Sequence, residues 1–311
     1  MNVAVLGWLP LAVALDLTFG EPPARLHPVV WMGKAIAMCE RFAPTRGRLR
    51  QLAAGTAIAV GVPTVFAAAA WLLESRLRAH ALLGLLVGAF ALKTTFALRG
   101  LGRAVLTMRD EIALGKVDSA RLSLRALCSR DATNLDSASL VAATIESAAE
   151  NTCDSFVAPL FWFAVLGLPG AAFYRAVNTL DAMIGYHGRY EWLGKASARL
   201  DDVLNWLPAR LTAGLLLVAG AFSGLNVVGG ARVLWRDGAL TESPNAGRPM
   251  AVMAGLLGVQ LTKAGHYRLG DATTPLHPPQ IERAWRSVLV ASALATVLAA
   301  LAVEVRLGNA W

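Results

Sequence analysis

The sequence predicts an all-α fold, a polytopic helical membrane protein, and three observations predict it. Hydrophobic residues make up 56% of the 311-residue chain and charged residues 16%, with a mean hydropathy of +0.51, whereas soluble domains carry about 25% charged residues. Several apolar stretches approach the roughly 20 residues that a bilayer core demands. Strand patterning is nearly absent, and Ala- and Leu-rich helical spacing continues into the loops, as in DEIALGKVDSARLSLRALCSR.

In chain order, residues 2–19, 52–73, 79–98 and 211–228 are close to spanning length, and 287–303 is slightly short. The first stretch lacks a basic leader and runs directly into a proline-rich motif, so it reads as an uncleaved span rather than a signal peptide. Residues 156–177 are broken by GLPG at 167–170, and 249–261 are too few to cross upright. About five spanning helices are therefore expected, with re-entrant or interfacial helices and helical loops, in one membrane domain over residues 1–311. Lys93, near the end of its stretch, is expected to snorkel to the interface.

The net charge of +8 is distributed in a way that argues against nucleic acid. Residues 25–50 hold six Lys or Arg and residues 99–130 hold seven, each segment flanking a predicted span. That is the positive-inside pattern, which places loops at about 20–51, 99–154 and parts of 178–286 in the cytoplasm. Three cysteines, Cys39, Cys128 and Cys153, match no metal spacing and suggest no disulfide framework.

The densest chemistry lies in ESAAENTCDS, residues 146–155. Asp136 is a suitable N-cap for a helix through this run. At about 100° per residue, Glu146, Glu150 and Asp154 fall within a sector of roughly 80°. Like charges four residues apart repel, so a cation is expected beside them. A hard divalent ion such as Mg²⁺, held by one or two carboxylates and by substrate phosphates, meets that need; a solvated acidic face paired with Arg is the plainer reading. A second polar group follows in residues 178–213: Asn178 and Asp181 three apart on an apolar helix, then adjacent Asp201 and Asp202 flanked by Arg199 and Arg210. Ionisable groups at membrane depth are functional candidates by default. Three loops complete the set. LDLTFGEPPARLHPVVWMGK presents His27 on a rigid turn after Asp16. SRDATNLD carries Arg130 and Asp131. ESPNAGRPM, with Ser243 and Asn245, feeds a helix N-terminus suited to an anion.

In order, LDLTFGEPP..LHPV..MGK, SRDATNLD, IESAAENTCDSFVAPLFW, NTLDAMIGY, ARLDDVLNWLPARLTA and SPNAGRPMA resemble the signature segments of the adenosylcobinamide-phosphate synthase family, integral membrane proteins of cobalamin biosynthesis. The resemblance runs from about residue 10 to about 262. The chain departs from the family pattern at His187–Gly188–Arg189–Tyr190 and at Arg248. The resemblance implies an ATP- and Mg²⁺-dependent amide ligase that joins a side-chain carboxylate of adenosylcobyric acid to aminopropanol phosphate or aminopropanol. It implies catalytic roles for Glu146, Glu150 and Asp181. Substrate contacts are implied from His27, Arg130, Asp131, Asn151, Asn178, Arg199, Arg210, Ser243 and Asn245, and Mg²⁺ contacts from Glu150, Asp154, Asp201 and Asp202. The expected partners are the corrinoid, the amino alcohol and the bilayer, with other cobalamin-assembly enzymes or further copies of the chain as candidates; the expected location is the cell inner membrane, with the active-site loops facing the cytoplasm. The alternative is a transporter for a corrinoid or other small molecule that uses intramembrane carboxylates.

Overall fold

The structure is a computed structural model describing residues 3–186 and 188–308. His187, one of the departures from the family pattern, lies outside the described residues. The helices in chain order are α1 (Val3–Phe19), α2 (Pro28–Phe42), α3 (Arg48–Leu77), α4 (Ala81–Lys93), α5 (Leu98–Ala113), α6 (Val117–Ser123) and α7 (Ser137–Thr152). After a π-helical turn at Cys153–Val157 come α8 (Ala158–Leu166), α9 (Leu168–Ile184), α10 (Lys195–Phe222), α11 (Val227–Asp237), α12 (Gly247–Leu257) and α13 (Pro278–Gly308). A short antiparallel hairpin, β1 (Leu261–Lys263) and β2 (Tyr267–Leu269), interrupts the helices, with Leu261 opposite Leu269.

Among the described residues, four stretches are long and apolar enough to cross a membrane: Arg48–Leu77, Ala81–Ala113, Lys195–Phe222 and Pro278–Gly308. Residues 287–303, expected to be slightly short, lie within the 31-residue α13, whereas the expected span at residues 2–19 corresponds to α1, whose described helix of 17 residues falls short of that length. The 79–98 stretch is helical only to Lys93; a turn over residues 94–97 separates α4 from α5. On α3, Val60, Val65 and Trp71 are each more than half exposed, as befits a surface whose solvent is lipid rather than water.

The chain forms two compact units. Unit 1 is Met1–Ala97, Ala158–Asn205 and Thr296–Trp311; unit 2 is Leu98–Val157 and Trp206–Ala295. In unit 1, α9 packs against α3 and α2, and α1 packs against α4. Ile36, Ala59, Val62, Leu180, Ile184 and Leu193 make the core behind the polar end of α9. GLPG is a break, as the sequence suggests. Gly167, at φ +75°, ends α8, and α9 restarts with Pro169 in its first turn. The buried amide of that new N-terminus is met from α3, where Glu74 accepts the Leu168 N–H at 2.9 Å and is itself paired with Arg78 at 2.8 Å. A carboxylate at a helix N-terminus satisfies an orphan donor and complements the dipole.

In unit 2, α7 lies against α5 and α12, α12 against α11, and β1 against α7. The α11–α12 contact is backbone on backbone: a Cβ on Gly255 would sit 2.3 Å from the Gly229 carbonyl oxygen. Small residues of this kind let helices approach where no water drives them together.

Candidate functional site

The helix α7 begins where its sequence predicts, with the Asp136 carboxylate accepting the Ser139 N–H at 2.8 Å. Its body is almost wholly buried from Leu140 to Ala149, and Glu146 is buried with it at 2% exposure. One oxygen of Glu146, Oε2, is in short contact with Arg130 Nη2 and lies 3.1 Å from the Tyr267 hydroxyl; the other, Oε1, has no hydrogen-bond partner among the described residues. Burial pushes the Glu146 carboxyl upward against the pull of Arg130, so the guanidinium offsets the desolvation only in part. Burial, followed by the charge of Glu146, pushes the Tyr267 phenol far up as well and keeps it a proton donor.

Glu150 stands one turn further along α7, and its charge reaches Tyr267. The α-helical projection that groups three carboxylates holds for Glu146 and Glu150. Beyond them α7 ends at Thr152, and Asp154 lies in the π-helical turn Cys153–Val157. Asn151 is committed locally, its amide donating to the Ser147 carbonyl at 2.9 Å and the Leu127 carbonyl at 3.4 Å. Asp131 Oδ1 accepts both the N–H (3.0 Å) and the hydroxyl (2.6 Å) of Thr133 and closes the SRDAT turn. Elsewhere in unit 2, Arg210 lies over the Trp206 ring at 4.0 Å and reaches Asn245 Oδ1 at 3.4 Å. The Ser243 hydroxyl receives the Asn245 N–H, so the SPNAG loop and Arg210 form one group ahead of α12.

Unit 1 gathers the second acidic set. Asp201 accepts from Asn178 at 3.4 Å and from Asn205 at 2.9 Å, and Arg199 reaches Asp202 at 3.9 Å from an exposed position. Asp181 faces the fields of Asp201 and Asp202. Burial and then the Asp202 charge push its carboxyl up to about 6. Gly185 makes room for it, since a Cβ there would lie 1.9 Å from Asp181 Oδ1. Among the described residues no three His, Cys, Asp or Glu side chains are gathered into a ready metal cage. Of the four expected metal contacts, Glu150 and Asp154 belong to unit 2, and Asp201 and Asp202 to unit 1.

The raised Asp181 has a measurable cost. Its folded value of about 6 lies above the ordinary 3.8, so ionisation disfavours the fold. The penalty is absent at pH values below the ordinary carboxyl range, grows as pH rises and is complete above about 6. Asp181→Asn is expected to raise the melting temperature of detergent-solubilised protein by a few degrees at pH 7.5 and to leave it unchanged near pH 4. A lowered melting temperature at both pH values refutes the strained carboxyl.

A third cluster corrects the expectation for Lys93. The ammonium does not snorkel; it is 2% exposed, with Nζ 3.4 Å from Asp16 Oδ1 and 2.9 Å from Glu21 Oε1. Packing of α1 on α4 brings the two apolar helices' opposite charges together. The other oxygen of Glu21 lies 2.6 Å from His27 Nε2, and His27 Nδ1 accepts the Val29 N–H to cap α2. Nδ1 is thus the acceptor, and the ring proton sits on Nε2 facing Glu21. Burial opposes ionisation of Glu21, but the His27 hydrogen bond and Lys93 outweigh it and hold the carboxyl below its usual range. Both His27 nitrogens are occupied within its own loop.

Sequence reasoning did not single out Tyr267, Glu21 as a partner of Lys93, or Asn205. For Tyr267 a signal exists: LTKAGHYRL alternates around a Gly265 at φ +75°, which is hairpin patterning.

The fold and these clusters define a helical membrane protein whose buried carboxylates are paired with Arg or Lys or hydrogen-bonded by Tyr. The model of the family described as CobD/Cbib protein matches residues 9–296, and the chain belongs to that family. It is 43% identical over 272 residues to "Cobalamin biosynthesis protein CobD" of Dehalococcoides mccartyi, covering 87% of this chain and 88% of that protein. It is 42% identical over 266 residues to "Probable cobalamin biosynthesis protein CobD" of Methanothermobacter thermautotrophicus, covering 85% and 86%. No solved structure matches the chain.

Proposed function

We propose that the protein is an ATP- and Mg²⁺-dependent amide ligase of cobalamin biosynthesis, joining a side-chain carboxylate of adenosylcobyric acid to aminopropanol phosphate or aminopropanol. The observation that carries the reading is family membership over residues 9–296, with relatives named for cobalamin biosynthesis. The carboxylate clusters are compatible with the chemistry. A carboxylate is a poor electrophile, so its oxygen attacks the γ-phosphorus of ATP and ADP leaves. The amine then attacks the acyl phosphate carbon, inorganic phosphate departs, and the amine gives up a proton.

Asp181, pushed up to about 6, is matched to accepting that proton near neutral pH. Arg130, fixed by Glu146 and Tyr267, is a candidate for meeting phosphoryl oxygens; Arg210 with Ser243 and Asn245 is another anion-binding group. The donor chemistry fits Mg²⁺, since Asp201 and Asp202, and Glu150 and Asp154, are hard oxygen donors whose like charges a cation relieves, with substrate phosphates completing the coordination. Bound Mg²⁺ supplies charge neutralisation of the transferring phosphoryl group. ATP as co-substrate places the site loops on the cytoplasmic face of the membrane.

The test is incubation of purified, detergent-solubilised protein with adenosylcobyric acid, ATP, Mg²⁺ and each amine in turn. The expected result is a corrinoid heavier by the amine less water, with ADP and phosphate released in equal amount. Folded protein that shows no corrinoid-dependent ATP cleavage refutes the ligase and restores the transporter.

A further inference from the structure

Unit 2 carries a cleft of about 700 Å³, lined by α6 and the turn after it on one side and the SRDAT loop on the other. That volume lies within the range of small-molecule sites, about 300–1,000 Å³. Three arginines line it, Arg121, Arg125 and Arg130, of which the sequence reading singled out only the last. Two are held in place by protein partners at the edges of their guanidinium groups. Arg121 donates from Nε to the Leu135 carbonyl at 3.0 Å and from Nη1 to Asp118 at 2.7 Å, while Arg130 is held through Nη2 by Glu146 and Tyr267.

A guanidinium carries five N–H donors. Each of these two therefore keeps donors beyond those its described partners take. Arg125 is exposed and makes no ion pair among the described residues. The carboxylate whose field it shares is Asp131, whose Oδ1 is already occupied by Thr133. Asp118, the other acid of the lining, is 94% exposed.

We propose that this cleft binds the phosphate groups of a phosphorylated substrate, either a nucleoside triphosphate or the phosphoester of the incoming amino alcohol. Arginine forks match phosphate oxygens in pairs, and prior fixation of Arg121 and Arg130 removes much of the ordering cost of binding. The choice between these two phosphates rests on the ligase reading; recognition of phosphate by the three arginines does not.

Cys128 lines the same cleft and is half-buried, Cys39 is half-buried in unit 1, and Cys153 is buried. The full chain in detergent is treated with N-ethylmaleimide, and the modification rate of each cysteine is followed by peptide mass. The probes are the non-hydrolysable triphosphate AMP-PNP, aminopropanol phosphate and, separately, vesicles of phosphatidylglycerol. Either soluble phosphate at about ten times its Kd is expected to slow Cys128 about tenfold by mass action. Cys39 should keep its rate, and Arg125→Ala should remove the protection. Protection by only one soluble probe identifies which phosphate binds. Slowing by the lipid alone, or slowing that persists in Arg125→Ala, overturns the proposal. An unchanged Cys128 rate in protein that still turns over also overturns it and leaves the ligase standing. Protection in folded protein that forms no amide supports the cleft and removes the ligase.

Discussion

Lys93→Met is expected to destabilise the protein by about 3–5 kcal/mol, the loss that follows when one partner of a buried ion pair is removed. The side chains have similar length, so packing is nearly kept and the charge is what disappears. Asp16, fully buried, and Glu21 then face each other without the ammonium that lies 3.4 Å and 2.9 Å from them. Glu21 is about one-third exposed and still bonded to His27, so it has a route to solvent; Asp16 has none. Asp16→Asn alone should cost less, because Lys93 keeps Glu21, and adding Asp16→Asn to Lys93→Met should recover part of the loss. The checking measurement is the thermal or denaturant midpoint of the three purified variants in the same detergent. A wild-type midpoint for Lys93→Met rules out a stabilising role for the ammonium.

That cluster also shows where the sequence stops being legible. The apolar stretches mark α3, α10 and α13 because hydropathy is additive along a chain and needs no knowledge of neighbours. Asp136 marks the start of α7 and GLPG the break between α8 and α9, since capping and glycine conformation are local. Lys93 is different. Taken alone, a lysine near a helix end has a cheap escape to the interface, and only the packing of α1 on α4 shows that Asp16 and Glu21 make burial cheaper still. Tyr267 is hidden in the same way, 121 residues from the Glu146 carboxylate that it bonds. Periodicity tells which face of a helix is polar, but not which other face it meets. The spacing of Glu146, Glu150 and Asp154 is readable in the sequence, whereas the π-helical turn that holds Asp154 is not, because DSF in that turn is as compatible with α-helix as with the wider winding.

Arg130→Ala and Glu146→Ala are each expected to lower kcat/KM for amide formation by about 100-fold, and the double variant by scarcely more than either. The reason is structural. Glu146 is 2% exposed and holds Arg130 through Oε2, with Tyr267 bonded to the same oxygen. It acts as a positioning residue: without it the guanidinium loses the counterion that fixes its plane, and without Arg130 the buried carboxylate has nothing charged to position. Residues that work as one unit fail non-additively, and a shared loss of about 100-fold corresponds to a coupling of about 2.7 kcal/mol between the two side chains.

Tyr267→Phe should cost less than either, since it removes the hydroxyl's hydrogen bonds to Glu146 and from Arg130 and leaves the ion pair. Added guanidinium ion should restore part of the rate of Arg130→Ala and none of the rate of Glu146→Ala, which still carries its own guanidinium in the wrong place. A purely structural ion pair predicts a different pattern, with both single variants melting early and no rescue by guanidinium. If the two losses multiply to about 10⁴-fold instead, Glu146 and Arg130 act on the reaction separately, and the carboxylate belongs to catalysis in its own right.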